Sequence, residues 1–141
     1  MANLYVDASV LVKYLLHDED SATVDPLWRG AQALAASRLC WVEVHSALAA
    51  ARRAQRLDAR ALAHALDLFH EDWSVIRTVE LTPAVAASAA ELALAHRLSG
   101  ADAVHLASAL VLGGTTVMVT WDRRLAAAAG ACGLAVVTAP G

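Results

Sequence analysis

Asp7, Glu43, Asp102 and Asp122 are spread along the chain, yet each sits beside small or apolar neighbours: Val6-Asp7-Ala8, Val42-Glu43-Val44, Ala101-Asp102-Ala103 and Trp121-Asp122. A carboxylate is costly to bury without a partner. Four of them in apolar segments imply one shared counter-charge. Without that charge they would repel one another and raise their own pKa values. All the candidate ligands are hard oxygen donors, and no cysteine cluster accompanies them. That chemistry selects Mg²⁺, or Mn²⁺, as the ion. His105 follows Asp102 by three residues, close enough on a helix to share an ion, but no second histidine has matching spacing. The remaining histidines, His17, His45, His64, His70 and His96, are scattered and are expected on the surface or in packing.

Such a site needs elements that bring distant residues together. Leu4-Tyr5-Val6 is β-prone and feeds a helix from Val10 to Leu16. His17-Asp18-Glu19-Asp20 is an acidic break, after which Ser21 or Asp25 caps a helix with Pro26 in its first turn. Leu39 to Gln55 predicts a helix with Glu43 near its start and Arg52-Arg53 at its end, in agreement with the helix dipole. Asp58 caps a second helix, Ala59 to Glu71, closing a helical hairpin. Ser74 to Val79 alternates as a strand does. Thr82-Pro83 opens a helix to about Leu98, and Ala101 to Leu112 continues after Ser99-Gly100. Thr115 to Thr120 predicts a strand, Asp122 to Ala129 a helix, and Leu134 to Thr138 a last strand. This alternation implies an α/β fold with a parallel sheet covered on both faces. Sites in such sheets form outside the carboxyl ends of the strands, where Asp7 and Asp122 both fall. Glu43 and Asp102 begin helices that reach the same edge.

The 141 residues suit one domain, residues 1–141, and 58% of them are hydrophobic, which excludes a disordered chain. Charges interrupt every apolar stretch, so no membrane span is expected. The start of the chain lacks the basic region of a secretory signal, and a cytoplasmic location is expected. Cys40 and Cys132 have no paired spacing, so neither a zinc site nor a disulfide framework is expected. A formal net charge of −3 argues against bulk electrostatic binding of nucleic acid. Local cations must do that work: Lys13, the only lysine, and the arginines, among them Arg123 and Arg124.

Four segments, in order and at matching spacing, resemble the PIN-domain ribonucleases, and specifically the VapC-type toxins of bacterial toxin–antitoxin modules. They are Val6-Asp7-Ala8-Ser9-Val10-Leu11, Val42-Glu43-Val44, the stretch from Leu98-Ser99-Gly100-Ala101-Asp102 through Ser108-Ala109, and Val119-Thr120-Trp121-Asp122-Arg123-Arg124-Leu125. The closing Gly133-Leu134-Ala135-Val136-Val137 resembles the family's final strand. Ala8 departs from the pattern, standing where many relatives carry Thr or Ser. The resemblance implies a PIN-like three-layer sandwich, a short parallel sheet flanked by helices. It also implies that Asp7, Glu43, Asp102 and Asp122 form an acidic pocket for Mg²⁺ or Mn²⁺, with Asp7 and Asp102 the firmest ligands and Asp122 the most variable.

The implied activity is that of a metal-dependent endoribonuclease acting on single-stranded RNA. A bound divalent ion lowers the pKa of its water and polarises the phosphoryl oxygen, so in-line attack would leave a 5′-phosphate and a 3′-hydroxyl. Ser9 or Thr120 would orient the water or the phosphate, and Arg123, with Arg124 and Lys13, would contact the backbone. Trp41 and Trp121 are expected to pack in the core or an interface, with base stacking as the alternative. Arg52, Arg53 and Arg56 are expected on a solvated face. By resemblance the partners are a VapB-type antitoxin that blocks the pocket, operator DNA reached only through that antitoxin, and a second copy in a homodimer. The alternatives are a non-catalytic PIN-like binding module and an aspartate-based phosphatase. The phosphatase wants a second Asp two residues after the first, where Ser9 stands; a receiver-type phospho-acceptor wants an early acidic pair and a late lysine.

Overall fold

The computed structural model describes residues 3–16 and 21–138, the side chains of 21–25 excepted. The acidic run at 17–20 and the capping side chains expected at Ser21 and Asp25 lie outside that set. Five strands, β1 (Asn3–Val6), β2 (Ala33–Ser37), β3 (Arg77–Val79), β4 (Thr116–Val119) and β5 (Ala135–Val137), form one sheet in the order β3-β2-β1-β4-β5. Every pairing is parallel, as alternation of strands and helices requires.

The helices are α1 (Ala8–Leu15), α2 (Ser21–Gly30), α3 (Arg38–Arg53), α4 (Ala59–Trp73), α5 (Pro83–His96), α6 (Gly100–Leu112) and α7 (Arg123–Ala131). Side chains alternate across the strands, so the sheet feeds two cores. Leu4 and Val6 of β1, Ala36 of β2 and Val119 of β4 pack with Val10 and Leu11 of α1, Val44 and Leu48 of α3 and Phe69 of α4. Tyr5, Ala35 and Met118 face the other way, against Val85 and Ala89 of α5, Leu106 and Ala107 of α6, and Leu125 of α7. Burying each large aliphatic or aromatic side chain contributes roughly 1.5–3 kcal/mol, so these two cores carry the fold. The architecture is the expected three-layer sandwich with a helical hairpin, α3–α4.

The caps follow the chemistry of the turns. Asp7, Asp58, Thr82 and Asp122 accept hydrogen bonds from backbone N–H groups in the first turns of α1, α4, α5 and α7, and Ser99 does the same for α6. Arg97 ends α5 in the left-handed region, at φ 55°.

Three expectations need correction. The strand β2, Ala33-Leu34-Ala35-Ala36-Ser37, carries no β-branched or aromatic residue, and its alanines gave no strand signal. It forms because it lies between β1 and β3 in the sheet, where Ala35, Ala36 and Ser37 are buried. Pro26 sits in the interior of α2, because that helix begins at Ser21; the ring is exposed, and proline contributes no N–H there. Of the segment Ser74 to Val79, only Arg77–Val79 is strand, because α4 runs on to Trp73 and Ser74 caps it.

Candidate active site

Strand ends and helices at one edge of the sheet place the functional side chains. Asp7 follows β1 directly, Thr120 follows β4, and Ser37 leads from β2 into α3, the helix that carries Glu43. Glu43 is the sixth residue of α3, beyond its first turn, so a favourable charge at the helix N-terminus does not account for it. Asp102 lies in the first turn of α6, and Asp122 caps α7.

These elements bring Asp7, Glu43, Asp102 and Asp122 to one cavity of about 120 Å³, lined also by Ala8, Ser9 and His105. Asp7 is the most buried of the four carboxylates, at 4% exposure. Its Oδ1 accepts from the Ser9 hydroxyl at 2.6 Å and from the Val10 N–H at 3.2 Å, and its Oδ2 accepts from the Thr120 hydroxyl at 2.5 Å. A carboxylate offers about four lone-pair sites, so this leaves one on Oδ2 for a cation. Capping and participation in the cavity are therefore compatible roles for Asp7. They are equally compatible for Asp122, which accepts from the Leu125 N–H at 2.9 Å.

The charge balance favours a cation. Burial pushes the Asp102 carboxyl up, Asp122 and Asp7 push it further, and Ser99 and His105 act against them. A cavity with four carboxylates and one histidine already engaged by Glu43 suits a hard divalent ion held by one or two direct carboxylates, with the rest acting through water. A different donor group, Cys40, Glu43 and His105, also has ligand atoms within 4.8 Å of one another. It does not suit a soft ion. Glu43 engages the imidazole at Nε2, whereas Cys40 lies near Nδ1, where the Tyr5 hydroxyl already sits. Burial also pushes the Cys40 thiol well up, so it stays protonated.

The hydroxyls of Thr120 and Ser9 both donate to Asp7. Thr120 is fully buried, its hydrogen donated to Asp7 and its oxygen accepting the Asp122 N–H at 3.1 Å. It braces the Asp7 carboxylate and the backbone of Asp122, and it is not among the residues that line the cavity. Ser9 is exposed and lines the cavity, but its hydrogen is on Asp7, so it faces the cavity as an acceptor, suited to water rather than to phosphate. Arg123 and Arg124 are exposed at the start of α7 and do not line the acidic cavity. Lys13 and Arg56 do line a neighbouring groove of about 490 Å³, which shares Ala8, Ser9 and Glu43 with the cavity. Arg56 thus belongs to this groove, not merely to a solvated face.

Sequence reasoning set His105 aside, yet it is the link between the cavity and the core. Its Nε2 lies 2.7 Å from Glu43 Oε1, and its Nδ1 lies 2.8 Å from the Tyr5 hydroxyl. The carboxylate can only accept, so Nε2 carries the proton. In the neutral ring Nδ1 then accepts from Tyr5, whose hydroxyl in turn accepts the Ser37 N–H at 3.2 Å. Burial holds the Tyr5 hydroxyl well above the ordinary tyrosine range, so it remains a donor. The three-residue offset from Asp102 was the available signal. Its partner Tyr5, a hundred positions away, was not legible. Trp41 packs among His45, Phe69, His70 and Trp73, and Trp121 packs against the α1–α4 core, both in the manner expected of structural residues.

The PIN domain family pattern matches residues 4–131. The chain is 46% identical to a protein named ribonuclease VapC45 from Mycobacterium tuberculosis, over 99% of this chain and 97% of that one. Among solved structures, PAE2754 from Pyrobaculum aerophilum superposes with TM-score 0.71 at 26% identity, covering 96% of this chain and 83% of that one. A toxin–antitoxin complex from Klebsiella pneumoniae gives TM-score 0.69 at 18% identity, with 96% of each chain covered, a likeness of fold alone.

Proposed function

Because the chain belongs to the PIN-domain family, among its VapC-type ribonuclease toxins of toxin–antitoxin systems, we propose that the four-carboxylate cavity is where it hydrolyses RNA phosphodiester bonds, with Mg²⁺ or Mn²⁺ as cofactor. The observation that carries this is the meeting of Asp7, Glu43, Asp102 and Asp122 around one small cavity with Asp7 already oriented by Ser9 and Thr120. Asp7 and Asp102 would hold the ion directly, with Glu43 and Asp122 reaching it directly or through water. When bound, the ion supplies a more acidic water and a polarised phosphoryl oxygen. The protein's own groups do the positioning. Thr120 and Ser9 fix the Asp7 carboxylate, His105 holds one oxygen of Glu43, and the acceptor face of Ser9 orients water at the cavity wall. Such preorganisation is what converts bound groups into a near-attack arrangement.

The substrate segment is single-stranded RNA, lying along the groove beside the cavity with its phosphates near Lys13 and Arg56. Arg123 and Arg124 extend the positive contacts from the far side. The same groove, apolar over Val12, Leu16 and Ala47, suits a segment of a VapB-type antitoxin, which would obstruct the cavity and carry the complex to operator DNA. A second copy would pack on the alanine-rich α5 face, where Leu94 is 85% exposed. Among the described residues no helix is long and apolar enough to cross a membrane, and the cytoplasm is the proposed site of action.

The test uses purified protein, single-stranded RNA and the variants Asp7→Asn and Asp102→Asn. Cleavage that EDTA abolishes, that Mg²⁺ or Mn²⁺ restores, and that both folded variants lose supports this assignment. Cleavage surviving in either variant rejects the site. A metal-replete protein that binds RNA without cutting it would instead be a binding module.

A further inference from the structure

His45 on α3 and His70 on α4 place their Nε2 atoms 3.0 Å apart, on the outer side of the hairpin and away from the acidic cavity. His45 Nδ1 lies 2.6 Å from the Trp41 carbonyl oxygen. A carbonyl can only accept, so Nδ1 carries the hydrogen, and the neutral ring presents its lone pair at Nε2. This is the usual arrangement of a metal-ligating histidine, whose second nitrogen donates to a backbone carbonyl that fixes tautomer and orientation. Trp41 holds both rings: its centroid is 4.6 Å from that of His45 and 5.0 Å from that of His70, the latter stacked at 23°. Phe69 and Trp73 close the cluster from α4.

We propose that His45 and His70 form a binding site for a borderline first-row divalent ion, Zn²⁺ or Ni²⁺, that fastens α3 to α4. Two imidazole nitrogens at 2.0–2.1 Å from a tetrahedral ion stand about 3.4 Å apart. The pair therefore opens by only a few tenths of an ångström to admit one. His70 is exposed, so solvent and ions reach its ring. In the free protein its Nε2–H donates to His45; on binding, that hydrogen is carried by Nδ1, and water completes the coordination. Imidazole ligands favour Zn²⁺, Cu²⁺ and Ni²⁺ over the hard ions that suit the carboxylate cavity, so the two sites are chemically distinct. The site clamps the helix that carries Glu43, two residues before His45.

Trp41, in contact with both rings, provides the readout. Ni²⁺ is titrated into the full chain in excess Mg²⁺, which keeps the acidic cavity filled, while tryptophan emission is followed. One equivalent should quench emission saturably, and Zn²⁺ should compete. His45→Phe and His70→Phe preserve aromatic packing on Trp41 but remove a ligand, and each should weaken binding at least tenfold. Asp7→Asn should leave the titration unchanged. The proposal is overturned if Ni²⁺ gives no saturable quench, if a folded His→Phe variant titrates like the parent, or if Asp7→Asn alone abolishes the signal. Should one His→Phe variant not fold, the other decides.

Discussion

Replacing Tyr5 by Phe removes one oxygen from the centre of the molecule and nothing else of its shape. That oxygen satisfies two buried groups: it accepts the Ser37 N–H at 3.2 Å and donates to His105 Nδ1 at 2.8 Å. Ser37 is 0% exposed and His105 2%, so water does not replace the lost partner. Each stranded group costs about 1–3 kcal/mol. The two together make Tyr5→Phe destabilising by about 3 kcal/mol, a large part of the roughly 5–15 kcal/mol that holds a domain folded. In a chain of 141 residues this corresponds to a fall of about 10 °C in Tm. The functional consequence travels through His105. Its Nε2 hydrogen is held on Glu43 only while Nδ1 is engaged as an acceptor, so freeing Nδ1 lets the ring exchange tautomers and loosens Glu43 Oε1. Losing such an outer partner costs about 10–100-fold in activity or metal affinity. Urea denaturation of metal-free protein, with RNA cleavage measured well below Tm, reads both effects. In the double variant Tyr5→Phe/His105→Gln the losses should not add, because one chain of contacts carries both. A stability change within about 0.5 kcal/mol, typical of an indifferent surface site, refutes the reasoning.

Other outcomes follow from the same contacts. Thr120→Val strips a 2.5 Å donor from Asp7 Oδ2 and an acceptor from the Asp122 N–H, and should weaken Mg²⁺ binding about 10–100-fold in calorimetric titration. Mg²⁺ should raise the Tm of the parent protein and raise that of Asp7→Asn far less, because an ion stabilises only the state that binds it. Burial, Asp122 and Asp7 raise the Asp102 pKa in the fold, so the stability this group lends is present below its ordinary pKa and lost as pH rises through the raised value. Asp102→Asn should therefore stabilise the metal-free protein at neutral pH and change little in acid, as read by urea melts across that range, while abolishing cleavage. Cys40 is fully buried with its thiol pushed up and should resist iodoacetamide in the native protein, whereas half-buried Cys132 should react; equal labelling by mass spectrometry would contradict this packing.

What could be known from the chain alone was whatever its local pattern encodes. Capping residues, proline at a helix start, and alternating or helical periodicity marked nearly every element. The order of the four acids placed them at strand ends and helix starts, where a parallel sheet gathers its functional groups. Tertiary structure decided the rest, and in each case the deciding contact joins residues with no sequence relation. The strand β2 has no propensity of its own and exists because β1 and β3 supply its hydrogen bonds. Thr120 is a brace because the carboxylate it meets lies 113 positions earlier. His105 belongs to the site because Tyr5 and Glu43 reach it from β1 and α3. His45 and His70 looked scattered until the hairpin set them side by side. Periodicity and capping act over a few residues, so sequence carries them openly. The pairing of buried polar groups is fixed only when the two cores close and the cost of leaving any of them unpaired selects one arrangement.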